Sequence, residues 1–253
     1  MRTFDCILFF NEIDLLDLRL HEYNDVVDYF CIVEASTTFS GNPKPFYFLE
    51  NQQRYKDFIP KIIHIKVDNM PVTNNRWDRE NFQRNAILNV LPYTLPEDLV
   101  IISDADELWN KTTLSQIVTT PYAFSQRVFC YYLDYQISND WRGSVAAHAD
   151  QLHYLAPQML RDIRHFIPFV KNGGWHFGYL GGAEKIKLKI ESFSHAEFDT
   201  MEVKSKIPEK LKELQDVLLR SEGKIGQIVP IDKSFPRYLV ENIVKFKHLI
   251  LDN

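Results

Sequence analysis

Short apolar runs alternating with helical patterns through the first hundred residues constrain the fold more than any other feature of this chain. Residues 4–10, 29–33, 61–67 and 99–102 are apolar stretches of strand length, too short for helices buried on all sides. Between the first two, Ile13, Leu16, Leu20, Tyr23 and Val27 recur at the spacing of one helix face. Phe82, Ala86, Ile87, Val90 and Leu91 form a second stripe that ends near Pro92 and leads into Leu99-Val100-Ile101-Ile102. Gly41-Asn42-Pro43 and Asn69-Met70-Pro71 mark the loops. Strands without polar alternation, separated by helices, predict an α/β domain with a mostly parallel sheet covered by helices on both faces.

The pattern changes after position 120. Residues 124–137 read as one long aromatic strand, and a Gly-rich aromatic stretch follows at 173–182. Lys185 to Ile190 alternates charged and apolar residues, so a strand is expected over Lys187 to Phe193. From about 202 the chain reads as charged helices. The expected organisation is a catalytic domain over 1–200 with a helical extension over 201–253 packed on it.

At 253 residues there is chain for one large core. The net charge of −5 argues against a surface that must neutralise many phosphates, so no nucleic-acid partner is expected. Cys6, Cys31 and Cys130 are odd in number and lie inside apolar runs, which predicts buried thiols rather than a disulfide framework. No apolar run reaches the roughly 18 residues of a membrane helix, and the first run is wrongly flanked for a signal peptide. A soluble, cytoplasmic protein is expected, and the sequon at Asn110 is read as chance. The 12 Tyr, 18 Phe and 4 Trp exceed what a core of this size needs.

The sharpest chemical signal is Asp104-Ala105-Asp106-Glu107, directly after the apolar run that ends at Ile102. Ligands of open α/β sheets bind at the carboxyl ends of strands, so these acids are expected to face a crevice. Three acids in four residues repel one another unless something positive compensates. A divalent cation with oxygen ligands would do so; a helix N-terminus capped by the cluster is the structural alternative. Two chemistries use an Asp-x-Asp at a strand end: metal-assisted transfer from a nucleotide sugar, and the Mg²⁺-dependent haloacid-dehalogenase type of phosphatase, in which Asp104 would be the nucleophile and Asp106 its partner. The phosphatase motif normally lies on the first strand and continues differently, which favours sugar transfer.

Several segments together resemble glycosyltransferase family 17. They are Phe9 to Leu20, Ile32 to Gly41, Arg79 to Ile87, Ile102 to Glu107, Gly174-Trp175-His176-Phe177 and Lys187 to His195, in order over about residues 4–200. The resemblance implies a GT-A, Rossmann-like nucleotide-diphospho-sugar transferase fold, a UDP-sugar donor, Mn²⁺ or Mg²⁺, and inversion at the anomeric carbon. UDP-GlcNAc is the implied donor and a glycan or glycoconjugate the acceptor. A carbohydrate-binding protein that keeps the fold without turnover is the third reading.

Candidate roles follow from that chemistry. Asp104, Asp106 and His195 are expected at the metal, with His176 the rival of His195. Glu184, after Gly181-Gly182-Ala183, resembles the base that other inverting GT-A transferases carry on a Gly-rich turn, and is expected to take the acceptor proton. Glu12, Glu34, Ala35, Ser36, Arg84, Asp104 and Arg237 are candidate donor contacts; the alternative for Arg84 is a helix-surface pair with Glu80. Trp141, Trp175, His176 and Tyr179 are expected to meet the acceptor, whose apolar C–H faces pack on aromatic rings.

Overall fold

The computed structural model describes residues 1–117 and 119–251. The strands are β1 (Thr3–Phe9), β2 (Tyr29–Ala35), β3 (Ile62–Val67), β4 (Leu99–Asp104), β5 (Glu107–Trp109), β6 (Tyr122–Cys130), β7 (Tyr135–His148), β8 (Phe169–Gly178) and β9 (Gln227–Ile228). The α-helices are α1 (Ile13–Tyr23), α2 (Tyr47–Asn51), α3 (Arg76–Asn85), α4 (Pro157–Asp162), α5 (Gly182–Ser192), α6 (Met201–Lys212) and α7 (Arg237–Glu241). Among the described residues, the nine strands join one sheet in the order β3-β2-β1-β4-β7-β6-β8-β5, with β9 added to β7. This is an α/β fold with a mixed sheet.

The four predicted strands form a continuous parallel block, β3-β2-β1-β4. Cys6 pairs in register with Cys31 on one side and Ile102 on the other. Although these runs are continuously apolar, their side chains divide between two cores as the strand period demands. Ile7, Phe9, Leu99 and Ile101 join α1 in one core, while Cys6, Leu8, Val100 and Ile102 face the other with Ile87 and Val90. All three cysteines are free and buried, as expected. Phe235, Leu239, Phe246 and Leu249 lie in the same core as α1, so the C-terminal segment shares the main hydrophobic interior.

Beyond β4 the pairing is mixed: β7 pairs antiparallel with β4 and β6, β6 runs parallel to β8, and β5 pairs antiparallel with β8. The single strand expected at 124–137 is two strands, because the chain turns back between Cys130 and Tyr135. Tyr131 takes a left-handed conformation, φ 70°, at that turn. The Gly-rich stretch is largely β8, and its small residues let strands approach closely. At Gly174, φ is 145° and an added Cβ would sit 2.0 Å from the Leu108 carbonyl.

The strand expected over Lys187 to Phe193 is instead the C-terminal part of α5. Ile186 and Ile190 are four residues apart, so they satisfy a helical period as well as an alternating one. Both are buried against α6 in a third cluster, while Leu188 is left 38% exposed. Packing against α6 decides between the two periods.

Candidate active site at the carboxyl ends of the parallel strands

The Asp104 backbone ends β4, and the chain then hooks sideways. The Ala105 N–H donates to the Leu8 carbonyl, and β5 departs to pair with β8. The acidic motif therefore runs into a strand, and the helix-cap reading falls. Pairing of Glu107 with His176, and of the Phe177 N–H with the Asp106 carbonyl, carries His176 to the motif from 70 residues away.

The three acids have separate tasks. Glu107 is 1% exposed and built into the floor: Arg161 donates to both its oxygens at 2.7 and 3.0 Å, and the Trp141 indole and the Asp104 N–H donate to it as well. Asp104 accepts from Arg84 at 2.9 Å and from Arg161 at 3.0 Å. Burial alone would raise its pKa, but Arg161 and Arg84 outweigh it and hold the carboxyl at about 2. Arg84 donates from the same nitrogen to Glu80, so the surface pair and the motif contact coexist.

Asp106 faces the cavity. Lys189, from α5, donates to Oδ2 at 2.6 Å, and His176 Nε2 lies 3.6 Å from Oδ1. Burial opposes charge here too, yet Lys189 and His176 pull the Asp106 pKa far below the usual carboxylate range. Desolvation would lower the His176 pKa, but Asp106 outweighs it and raises the imidazole.

A cavity of about 960 Å³ opens over these groups, with Glu12, Thr37, Trp77, Arg84, Trp141 and Tyr179 in its walls. Among the described residues, six buried side-chain polar atoms lack a partner within the chain. Four of them, Thr37 Oγ1, Arg84 Nε, Arg164 Nε and His176 Nδ1, belong to residues lining this cavity. Buried polar groups are almost always satisfied, so such a concentration marks a place where a ligand or water supplies the partners.

Of the residues expected from sequence, Glu12, Arg84, Asp104, Asp106, Trp141, His176, Tyr179 and His195 line the cavity. His195 is nevertheless not grouped with the acids: its Nδ1 contacts Glu197 at 2.8 Å and its ring meets Trp77 edge-on at 4.8 Å. No three His, Cys, Asp or Glu side chains among the described residues are gathered as a metal cage. The expected set Asp104, Asp106 and His195 is not brought together; the imidazole beside Asp106 is His176. A carboxylate oxygen and an imidazole nitrogen 3.6 Å apart suit two adjacent ligands of one divalent ion, with positions left for phosphate oxygens.

Other expected residues lie elsewhere. Trp175 is 5% exposed and donates to the Ser234 carbonyl, because neighbours on β8 alternate and only His176 faces the cavity. Glu34 is fully buried, its carboxylate taken up by the Phe48 N–H, His64 and Lys44. Ala35 is buried, and the backbone of Ser36 pairs with Val67 and Lys44. Arg237 is exposed and paired with Glu241. Glu184 is exposed in the first turn of α5 and does not line the cavity. Glu184→Gln is accordingly expected to keep turnover within about twofold, since a surface carboxylate contributes little; a loss of a hundredfold or more in a folded variant would return the base to that position.

Lys189, Arg161 and Trp77 were not foreseen. Trp77 is 41% exposed on the first turn of α3, where the Asn75 side chain caps the helix by accepting from the Trp77 N–H. A Trp two residues after an Asn cap, in an otherwise polar first turn Arg76-Trp77-Asp78-Arg79, was a usable signal.

The whole chain, residues 1–253, matches the family described as Glycosyltransferase family 17. It is similar to the beta-1,4-mannosyl-glycoprotein 4-beta-N-acetylglucosaminyltransferases of Rattus norvegicus and Homo sapiens, each 29% identical over 143 residues. The match takes in 51% of this chain and 27% of each relative, so the aligned part is about a quarter of the length of the curated relatives. Among solved structures, the inositol-1-phosphate CTP transferase from T. maritima is 10% identical with a TM-score of 0.38, covering 85% of this chain and 98% of that one. The galactosyltransferase LgtC in complex with donor and acceptor sugar analogs is 10% identical with a TM-score of 0.34, covering 72% and 74%.

Proposed function

The chain belongs to glycosyltransferase family 17, and from that premise we propose that it moves GlcNAc from UDP-GlcNAc onto a glycan hydroxyl, with inversion, in the cavity above β1 and β4. The observation that carries this reading is the concentration of unpartnered polar atoms and cationic side chains in the cavity that holds the acidic motif at the strand ends. The printed names of the relatives support GlcNAc as the sugar. The parallel order β3-β2-β1-β4, with the acidic motif closing β4, supports the GT-A reading.

The roles divide by chemistry. The nucleoside lies along the ends of β1 and β2, toward Thr37 and Trp77, and its diphosphate meets Lys189, His176 and Asp106. Asp106 and His176 would hold Mn²⁺ or Mg²⁺, which when bound neutralises charge on the departing diphosphate. Trp141, its ring tilted by 33° against His176 at 5.1 Å, and Tyr179 offer aromatic faces to the acceptor. Glu12 replaces Glu184 as the base: burial raises its pKa, and its Oε2 accepts the Phe10 and Asn11 N–H groups, which leaves Oε1 to take the acceptor proton. Asp104 does not serve a phosphatase, because both its oxygens are held by arginines and neither is free to attack phosphorus.

Incubation with a panel of UDP-sugars, Mn²⁺ and glycan acceptors tests the proposal. UDP release that depends on the acceptor is expected, with Glu12→Gln lowering kcat by about 10² to 10⁴ while UDP still binds. Hydrolysis of phosphomonoesters without UDP release would overturn it, and sugar binding without turnover would leave a lectin.

A further inference from the structure

Every carboxylate of the acidic motif already carries a cation from the chain itself. Arg84 and Arg161 hold Asp104, Arg161 holds Glu107, and Lys189 holds Asp106. A lone dication arriving at Asp106 therefore meets a carboxylate whose charge is already balanced, and gains little by entering. The three partners differ in how readily they let go. The two arginines are almost fully buried, and each donates to more than one acceptor. Among the described residues Lys189 donates one hydrogen bond, to Asp106, from a flexible stem 29% exposed, with its ammonium 5.2 Å from the Tyr179 ring centre. Lys189 also lines a small recess of about 50 Å³ that shares Glu12, Asp106 and Tyr179 with the main cavity.

Resting on the transferase reading above, we propose that Lys189 is the resident counter-ion of Asp106 and is handed over to a nucleoside diphosphate when the donor enters, so that the divalent ion and the nucleotide load as a pair. The diphosphate brings the negative charge that compensates both cations, and Asp106 is released to the metal only in its presence. Coupling of this kind is reciprocal: the ion strengthens nucleotide binding by the same factor as the nucleotide strengthens ion binding.

Calorimetry with Mn²⁺ alone, UDP alone and the two together tests this without any turnover. For the unmodified protein, saturating UDP is expected to tighten Mn²⁺ binding by roughly 5- to 150-fold, the usual range of linked sites. In Lys189→Met, Mn²⁺ alone should bind about tenfold tighter than in the unmodified protein, and the gain from UDP should shrink. Mn²⁺ affinity within twofold of the unmodified protein would overturn the proposal. Should Lys189→Met not fold, Lys189→Arg decides the same point: a guanidinium grips Asp106 through two bonds, so Mn²⁺ affinity at fixed UDP should fall about tenfold, and no change overturns the handover. If UDP with Mn²⁺ does not bind the unmodified protein at all, the transferase reading fails and takes this inference with it; if they bind and neither variant shifts them, only the role of Lys189 fails.

Discussion

Arg161→Met is expected to lower the unfolding free energy by roughly 3 to 5 kcal/mol, the cost of leaving a buried charge without its partner. Met preserves much of the apolar stem of Arg161 but removes the guanidinium that donates to Glu107, Asp104 and the Gly143 carbonyl. Glu107, 1% exposed, would keep only the Trp141 indole and the Asp104 N–H. At roughly 2 to 4 °C per kcal/mol for a chain of this size, the melting temperature should fall by about 6 to 20 °C. The pH dependence moves as well. Asp104 is held at about 2 against an ordinary 3.8, so its contribution is complete above the ordinary value and is lost as pH falls toward 2. Without Arg161 the carboxyl protonates at higher pH, and acid unfolding should begin earlier. Denaturant and thermal melts at neutral pH, with an acid titration followed by circular dichroism, check both parts. A melting temperature within 2 °C of the unmodified protein would mean that Glu107 is not held as described.

What could be read in advance follows the range of the interactions. β1 to β4 and α1 were legible because a strand buried on both faces and an amphipathic helix each write their environment into neighbouring residues. Asp104 and Asp106 were legible for the same reason, being acids at the end of an apolar strand. Their partners were not. Lys189 reaches Asp106 across 83 residues and Arg161 reaches Asp104 across 57, and no local pattern encodes either meeting. Along the chain His195 was preferred to His176, and it is the pairing of β5 with β8 that brings His176 instead to the motif. Glu184 lies outside the cavity for a different reason. Its Gly-rich approach was recognised, but the following residues satisfied two periodicities, and choosing the strand hid the helix that leaves the acid in solvent while bringing Lys189 to the motif. Gly143 shows the same limit: an added Cβ would lie 2.5 Å from atoms of Gln126, Glu107 and Trp141, three side chains from three separate segments.

Asp106→Asn should reduce transfer by at least about 10³-fold, or about 4 kcal/mol of transition-state stabilisation at 1.36 kcal/mol per decade. The substitution keeps the shape and one carbonyl acceptor while deleting the charge that fixes Lys189 and His176, so it isolates electrostatics from packing. Stability should change far less than in Arg161→Met, because Lys189 is partly exposed and can turn to water, whereas Arg161 and Glu107 cannot. The two variants therefore separate along different axes. Arg161→Met loses the fold of the floor, and activity falls with the melting temperature. Asp106→Asn loses the chemistry, with melting nearly unchanged. Turnover of UDP-GlcNAc measured beside thermal melts distinguishes them, and Asp106→Asn turnover within tenfold of the unmodified protein, at a native melting temperature, would remove Asp106 from the centre of the site. If the charge is what matters, Asp106→Ala must fall as far as Asn does. A much larger loss in Ala than in Asn would instead assign the residue to the architecture joining β4 to β5.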